Sequence, residues 1–512
     1  MNPTDDLNTL SAEQLRTKVA SLMALVDEKE VTIKHHRTRE AQLTHELALL
    51  KRHRYGRRSE GMSDHQVSLL QEQIDEDMAA METELAQVAV ENPPKARKQS
   101  PKRNPLPPQL PRAVIRHEPD STLCSCGCQM TRIGEDVSEK LDYEPGTFRV
   151  EQHVRGKWAC QSCETITQSP VELHVIDRGI PTTGLLAQVL VSKYADHLPL
   201  YRQQQIYARA EVELSRSTLS DWVGRCGVEL APLVDRLQEI LKGHGVLHAD
   251  ETPVSMLAPG QKKTHRAYVW AYSTTRYSRV QGVVYDFCPT RAGSEVRSFL
   301  EGWSGKLVCD DYSGYKASFG LGVTEIGCMA HARRKFHDLY VANDSPVANR
   351  ALQYIRLLYD IERETATMDV PARREYRQEK AKPLLDKYRL WLIGQREKVT
   401  NGTATAKAID YSLKRWDALT CYAADGDVPI DNNQVENQIR PWALGRSNWL
   451  FAGSLCSGQR AANIMSLIQS AKLNNLNPNA YLKGVMERLP TIRYSELDEL
   501  LPHNWKAPVN RE

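Results

Sequence analysis

One apolar run that ends in acid constrains this chain more than any other stretch: Val246-Leu247-His248-Ala249-Asp250-Glu251-Thr252. A strand buried among apolar residues cannot carry an unpaired carboxylate at its end without a cation or water to receive it. The pattern recurs in Leu307-Val308-Cys309-Asp310-Asp311-Tyr312-Ser313-Gly314-Tyr315, and a third acidic point lies in Asp431-Asn432-Asn433-Gln434-Val435-Glu436-Asn437-Gln438-Ile439-Arg440-Pro441. β-rich runs at about 244–256, 266–275 and 280–288, a helix near 291–302 and the strand ending at Asp310 give the order strand, strand, strand, helix, strand. Two carboxylates at strand ends and one on a helix among amides and an arginine are what a pair of divalent metals needs for attack on a phosphodiester. Asp250, Asp310 and Glu436 are the candidates, with Glu251 and Asp311 as neighbouring competitors.

At 512 residues the chain is too long for one ordinary core, so several domains are expected. The formal net charge of +3 hides local segregation. Ser59 to Pro94 holds nine acidic residues and no Lys or Arg, whereas Pro93 to His117 holds seven basic residues, seven prolines and no acid. The basic segment cannot bury enough apolar surface to fold and suits a phosphate backbone; a solvated spacer is the competing reading. No run of 18 apolar residues and no signal-peptide core is present, which predicts a soluble, cytoplasmic protein without a membrane partner.

From about Ser11 to Arg54 a heptad register places Leu15, Leu22, Lys29, His36, Leu43 and Leu50 on one position and Val19, Val26, Ile33, Glu40 and Leu47 on the other. This predicts a coiled-coil seam with a polar middle and a homodimer or higher homo-oligomer; a helix packed on its own domain is the alternative. Five of eleven cysteines fall between Cys124 and Cys163. Cys124-Ser125-Cys126-Gly127-Cys128 and Cys160-Gln161-Ser162-Cys163 bracket a strand-like segment, and two tight clusters at that separation can place four thiolates around one structural Zn²⁺. Cys124, Cys126, Cys160 and Cys163 are the expected ligands, with Cys128 in reserve.

Leu198 to Val223 reads helix, break, helix. Ser-rich chemistry caps the second helix, Leu219, Trp222 and Val223 face inward, and Arg216, Ser217, Thr218 and Ser220 fall near the end that would enter a DNA groove. Glu211 stands where such a turn usually has Gly. Helical periodicity over about 345–425 predicts an insertion between Asp310 and Glu436. Arg440, Arg446 and Asn448 follow Glu436, and Arg333, Arg334 and Lys335 form a second basic cluster; both suit phosphate contact. Cys328 and His331 have ligand spacing without a second pair, and packing or hydrogen bonding is the reading for them.

Tyr55-Gly56-Arg57-Arg58-Ser59-Glu60, the cysteine region, His248 to Thr252, Cys328-Met329-Ala330-His331-Ala332-Arg333-Arg334-Lys335-Phe336 and Asp431 to Ser454 resemble the insertion sequence 66 family of transposases, over nearly the whole chain. In that family the middle motif usually reads Asp-Gly-Tyr-x-x-Tyr, which favours Asp310 over Asp311. The resemblance implies a multidomain α+β protein: a coiled-coil and acidic helical region (1–92), a basic linker (93–117), a zinc ribbon-like module (118–175), a helix-turn-helix (180–235), a ribonuclease H-like DDE core with its insertion (240–485) and a C-terminal tail (486–512). It also implies Mg²⁺-dependent, or Mn²⁺-dependent, cleavage and joining of DNA at element ends. Two small accessory proteins from the same element accompany such proteins, which associate with the nucleoid when bound to DNA. A structure-selective nuclease and a DNA-binding protein without catalysis are the alternative readings.

Overall fold

The computed structural model describes residues 106–507, except 107, 109, 120, 124–127, 145, 162, 177–178 and 259–263, together with Leu43, Thr44, Leu47, Asp77 and Ala80, which are helical. The heptad seam therefore lies outside the described residues, apart from Leu43 and Leu47. Asp77, from the acidic segment, is fully buried and paired with Arg460.

The cysteine region is built on a sheet of four strands: β1 (Arg112–His117), β2 (Thr131–Glu144), β3 (Thr147–Ala159) and β4 (Ile166–Gln168). β3 is central, parallel to β1 and antiparallel to β2 and β4. The expectation that the basic segment stays unfolded to His117 fails at its end. Pro111 is the last of its prolines, and beyond it the alternating Ala-Val-Ile run can pair, so 112–117 joins the sheet. The turn after β3 is tight: Glu164 N–H donates to Cys160 O (2.9 Å), Glu164 takes φ +55°, and Cys160 is buried while Cys163 is exposed.

Next comes a helical layer of α1 (Thr183–Tyr194), α2 (Leu200–Arg209), α3 (Arg216–Glu229) and α4 (Ala231–Lys242). The break between α2 and α3 forms as expected, with Glu211 itself in the left-handed region at φ +61°. Ser215 caps α3 by accepting from Thr218 N–H (3.1 Å), and Leu219, Trp222 and Val223 are buried.

The second sheet has the strand order β7-β6-β5-β8-β9. β5 (Val246–Met256), β6 (His265–Thr274) and β7 (Val283–Cys288) form an antiparallel meander, α5 (Gly293–Phe299) crosses over, and β8 (Lys306–Cys309) and β9 (Thr324–Gly327) add in parallel beside β5. A crossover helix is what a parallel neighbour demands, so the meander is followed by α5 and not by a hairpin turn. Then α6 (Met329–Asn343) leads into the insertion: α7 (Pro346–Glu364), α8 (Val370–Tyr376), a π-helical turn over Arg377–Ala381, α9 (Lys382–Arg396) and α10 (Ala404–Lys414). The insertion shares one core with a face of the sheet: Ile355, Leu358, Leu385, Tyr388 and Leu392 cluster with Val246, Val308, Ile326, Met329 and Phe336. Fully buried Arg377 ties it together, donating twice to Glu362 (2.8 and 2.6 Å) and to the carbonyls of Tyr422 and Val428 (3.0 and 2.9 Å). Arg373 stacks 3.6 Å over Tyr277 in the β6–β7 turn, which fixes the insertion to the sheet.

The chain closes with α11 (Asn433–Trp449), α12 (Leu455–Leu473) and α13 (Pro478–Arg488). α12 lies along β7, the edge of the sheet, and Ser470 Oγ accepts from Val283 N–H (2.9 Å) while Ser466 Oγ accepts from Tyr285 N–H (2.8 Å). Residues four apart on a helix share a face, and residues two apart on a strand share an edge, so two serines occupy two donors of the edge that would otherwise be open. Among the described residues no helix is long and apolar enough to cross a membrane. Ser470→Ala is expected to strand a buried N–H at about 1–3 kcal/mol, read as a lower midpoint in chemical denaturation.

Candidate active site

β5 is apolar and buried from Val246 through Ala249 because it is central and covered on both faces. It pairs in parallel with β8 over Val246–His248 and Lys306–Val308, and the constant offset of that register brings Asp310 level with Asp250. β8 ends at Cys309, so Asp310 stands just past its strand, whereas Asp250 lies within β5; the expected strand end at Asp250 is not one, because pairing with β6 carries β5 on to Met256. The carboxyl of Asp250 is pushed up to about 8, first by burial, then by the charge of Glu251, and further by Glu436 and Asp310, against a backbone hydrogen bond that favours the charge. The charges of Asp310 and Glu436 thus both reach Asp250. Asp310 closes a short turn by accepting from Tyr312 N–H (2.9 Å).

The neighbouring acids are occupied. Glu251 is buried, accepts from Arg291 Nε (2.6 Å) and from Tyr315 O–H (3.1 Å), and these contacts offset part of the rise that burial imposes on it. Asp311 is exposed and lies 3.2 Å from Arg415, whose guanidinium also pairs with Glu325 of β9.

Glu436 enters from the first turn of α11. The residue that sets this helix against the sheet is Asn432: its Nδ2 donates to Ala249 O (2.9 Å), its Oδ1 meets His248 Nδ1 (2.7 Å), and its backbone N–H donates to Cys328 Sγ (3.2 Å). Asp431 accepts from Tyr359 O–H of α7 and from Asn433 Nδ2, each at 2.8 Å. Glu436 Oε1 lies 3.7 Å from His331 Nδ1, and both buried atoms have no hydrogen bond among the described residues. The ligand atoms of Cys328, His331 and Glu436 fall within 4.8 Å of one another, so the missing partner of the Cys328/His331 pair comes from across the insertion. Burial pushes the Cys328 thiol up to about 12, so it stays protonated while receiving the Asn432 amide. The spacing of Cys328 and His331 was legible in the sequence; their approach to Glu436, and the Asn432–His248 contact, had no local signal.

Of the expected phosphate-binding residues, Arg333, Arg334, Lys335 and Arg440 are exposed, and Arg334 lies 3.9 Å from Glu436 Oε2. Lys335 rests over the Tyr411 ring at 4.5 Å. Arg446 is engaged with the sheet instead, donating to Pro253 O (2.8 Å) and Thr252 Oγ1 (3.2 Å). On α3, Ser217 is exposed and Arg216 and Thr218 are half-buried, but Ser220 is fully buried in the helical layer and cannot face a groove: it lies one residue after Leu219 and two before Trp222, on the inward face. Cys124 and Cys126 lie outside the described residues.

Comparison with known proteins agrees along the chain. Family models match for the transposase IS66 family over residues 178–460, the transposase C of IS166 homeodomain over 42–115, the zinc-finger binding domain of transposase IS66 over 121–164 and the IS66 C-terminal element over 466–503. The uncharacterized protein y4qI of Sinorhizobium fredii (strain NBRC 101917 / NGR234) is 36% identical over 533 residues, covering 98% of this chain and 97% of the relative. The uncharacterized protein y4jD of the same strain is also 36% identical, over 78% of this chain and 82% of its own. A mixed sheet with these acids, a cysteine module before it and these matches define the domain set of an insertion-sequence transposase. The chain belongs to the IS66 transposase family.

Because folding raises the Asp250 carboxyl from its ordinary range near 4 to about 8, the stability it lends is full below pH 4 and is lost as pH climbs toward 8. Asp250→Asn removes that loss. In chelating buffer the variant is expected to melt above the parent at pH 8, by on the order of 1–3 kcal/mol, with the gap closing toward pH 4.

Proposed function

We propose that Asp250, Asp310 and Glu436 are the catalytic acids of a ribonuclease H-like DDE centre that cleaves element ends and joins them to target DNA. The observation that supports this reading is the approach of Glu436 and Asp310 to Asp250, whose carboxyl is lifted first by burial and then by Glu251, Glu436 and Asp310, while the two competing acids are engaged by Arg291 and Arg415. The donor set fits divalent cations: carboxylate oxygens, one of them a buried Glu436 oxygen with no hydrogen bond among the described residues, at a place where burial and then like charge lift Asp250. Two Mg²⁺, or Mn²⁺, held by Asp250, Asp310 and Glu436 would supply charge neutralisation and an acidified water for phosphodiester attack. Asn432 holds Glu436 against β5, Tyr312 N–H orients Asp310, and Arg334 adds positive charge where phosphate oxygens would gather.

DNA-end recognition is assigned to the N-terminal half, through the basic linker, the cysteine module and Arg216, Ser217 and Thr218 of the α2–α3 pair. Cys160, at the end of β3, and Cys163 would join Cys124 and Cys126 around one structural Zn²⁺, and the heptad region would dimerise the chain. The accessory proteins of the element complete the assembly.

Asp250→Ala, Asp310→Ala and Glu436→Ala are each expected to lower strand transfer by about 10³-fold or more while end binding in mobility-shift titrations changes little. Full activity of any one of them removes that residue from the centre, and activity retained in Asp310→Ala but lost in Asp311→Ala moves the second ligand by one position. Metal analysis of protein purified without chelator should find one zinc per chain, lost in Cys160→Ser; a metal-free preparation of folded protein rejects the zinc assignment.

A further inference from the structure

An open groove of about 700 Å³ runs between α6, α7 and the start of α11. Its two walls are helix faces. On α6, Ala330, Arg333, Arg334 and His337 recur at the spacing of one helical stripe. On α7, Asn349, Leu352, Arg356, Tyr359 and Arg363 form the stripe beside the buried one of Ala348, Ala351, Ile355, Leu358 and Glu362. A helix that only packed on its neighbours would need the buried stripe; the second stripe requires another explanation. Four arginines line the groove and no acid does. Arg333 and Arg356 have no carboxylate partner among the described residues, Arg363 is paired with Asp360 one turn before it, and Arg334 is the group 3.9 Å from Glu436. Asn433, at the head of α11, closes the groove on the side of the candidate acids.

We propose that this groove is a sequence-independent seat for a nucleic-acid backbone, in which α7 of the insertion supplies Arg356 and Arg363 as phosphate contacts that lead a strand toward Glu436. The inference rests on the reading of Glu436 as a catalytic acid for its direction, and on the groove itself for its chemistry. Arg356 and Arg363 are seven residues apart, about 10 Å along the helix axis, which spans about three nucleotides of one DNA strand. Guanidinium groups match phosphate oxygens in pairs, and the other polar groups of the α7 wall are neutral amides that accept or donate without repelling an anion. With its cations spaced along helix faces, and Leu352 and Tyr359 between them, the groove offers charge along a line and no enclosed pocket for a base, so the contact positions a strand without reading it.

The test is fluorescence anisotropy with the full-length chain in chelating buffer, on a labelled element-end duplex, an unrelated duplex of equal length and labelled polyglutamate, over a range of salt. Arg356→Ala/Arg363→Ala is expected to weaken both duplexes by a similar factor and to reduce the slope of log affinity against log salt by about 2, as two lost phosphate contacts require. Arg356→Lys/Arg363→Lys keeps the charge and is expected to keep most of the slope, which separates lost charge from a damaged fold. Parental affinity and slope in the alanine pair overturn the proposal; so does loss confined to the element end, which would mean base reading, or loss confined to polyglutamate, which would mean an acidic protein partner. Binding without metal is read independently of cleavage. Failure of the groove therefore leaves the acid centre standing, and active acid variants with the expected slope change overturn the centre alone.

Discussion

The arrangement of the candidate centre depends on the side chain of Asn432. It is fully buried, and with Nδ2 committed to Ala249 O its Oδ1 can only accept, which assigns the shared proton to His248 Nδ1. Burial pushes the His248 imidazole down to about 4, so the ring stays neutral and the contact persists over the working range of pH. The same residue gives its backbone N–H to Cys328. One amide thus fastens the central strand, the start of α6 and the start of α11, and Glu436 sits one turn beyond it. Polar groups this deep are stable only when their partners are in place, which makes the joint geometrically demanding.

Around that joint five acids are sorted by the cations within reach. Glu251 and Asp311 lie within 3.2 Å of Arg291 and Arg415, Glu436 has Arg334 only at 3.9 Å, and the charges of Glu436 and Asp310 act on Asp250. Gathering like charge in a partly buried place disfavours folding, and the rise at Asp250 records it. The surrounding fold supplies the compensation through a covered central strand, an edge strand closed by two serines and an insertion anchored by Arg377 and by Arg373 over Tyr277.

The insertion separates the second and third acids in the chain yet brings them together in space. Its helix α7 reaches the centre through Tyr359, which donates to Asp431, and its far end returns through Arg415, which holds Asp311 and Glu325. Both walls of the basic groove are therefore set relative to Glu436 by hydrogen bonds and ion pairs on the same few residues.

Much of this was legible in the chain. The run ending at Asp310, the intervening strands and helix, the helical insertion and the α2–α3 break all follow from local periodicity, turn chemistry and capping, which act over a few residues, whereas β5 runs past Asp250 to Met256. Local pattern also misled: the basic, proline-rich segment reads as unfolded to His117, but pairing with β3, a non-local gain, makes a strand of 112–117. Ser220 read as groove-facing because its polarity was visible and its burial was not. What the sequence determined by itself was which residues are strand-forming, helix-forming and acidic. Which acids an arginine engages closely, that His331 meets Glu436 and that Asn432 joins His248 were decided by tertiary structure alone, because each depends on side chains brought together from segments far apart in the chain, and neither spacing nor composition records that distance.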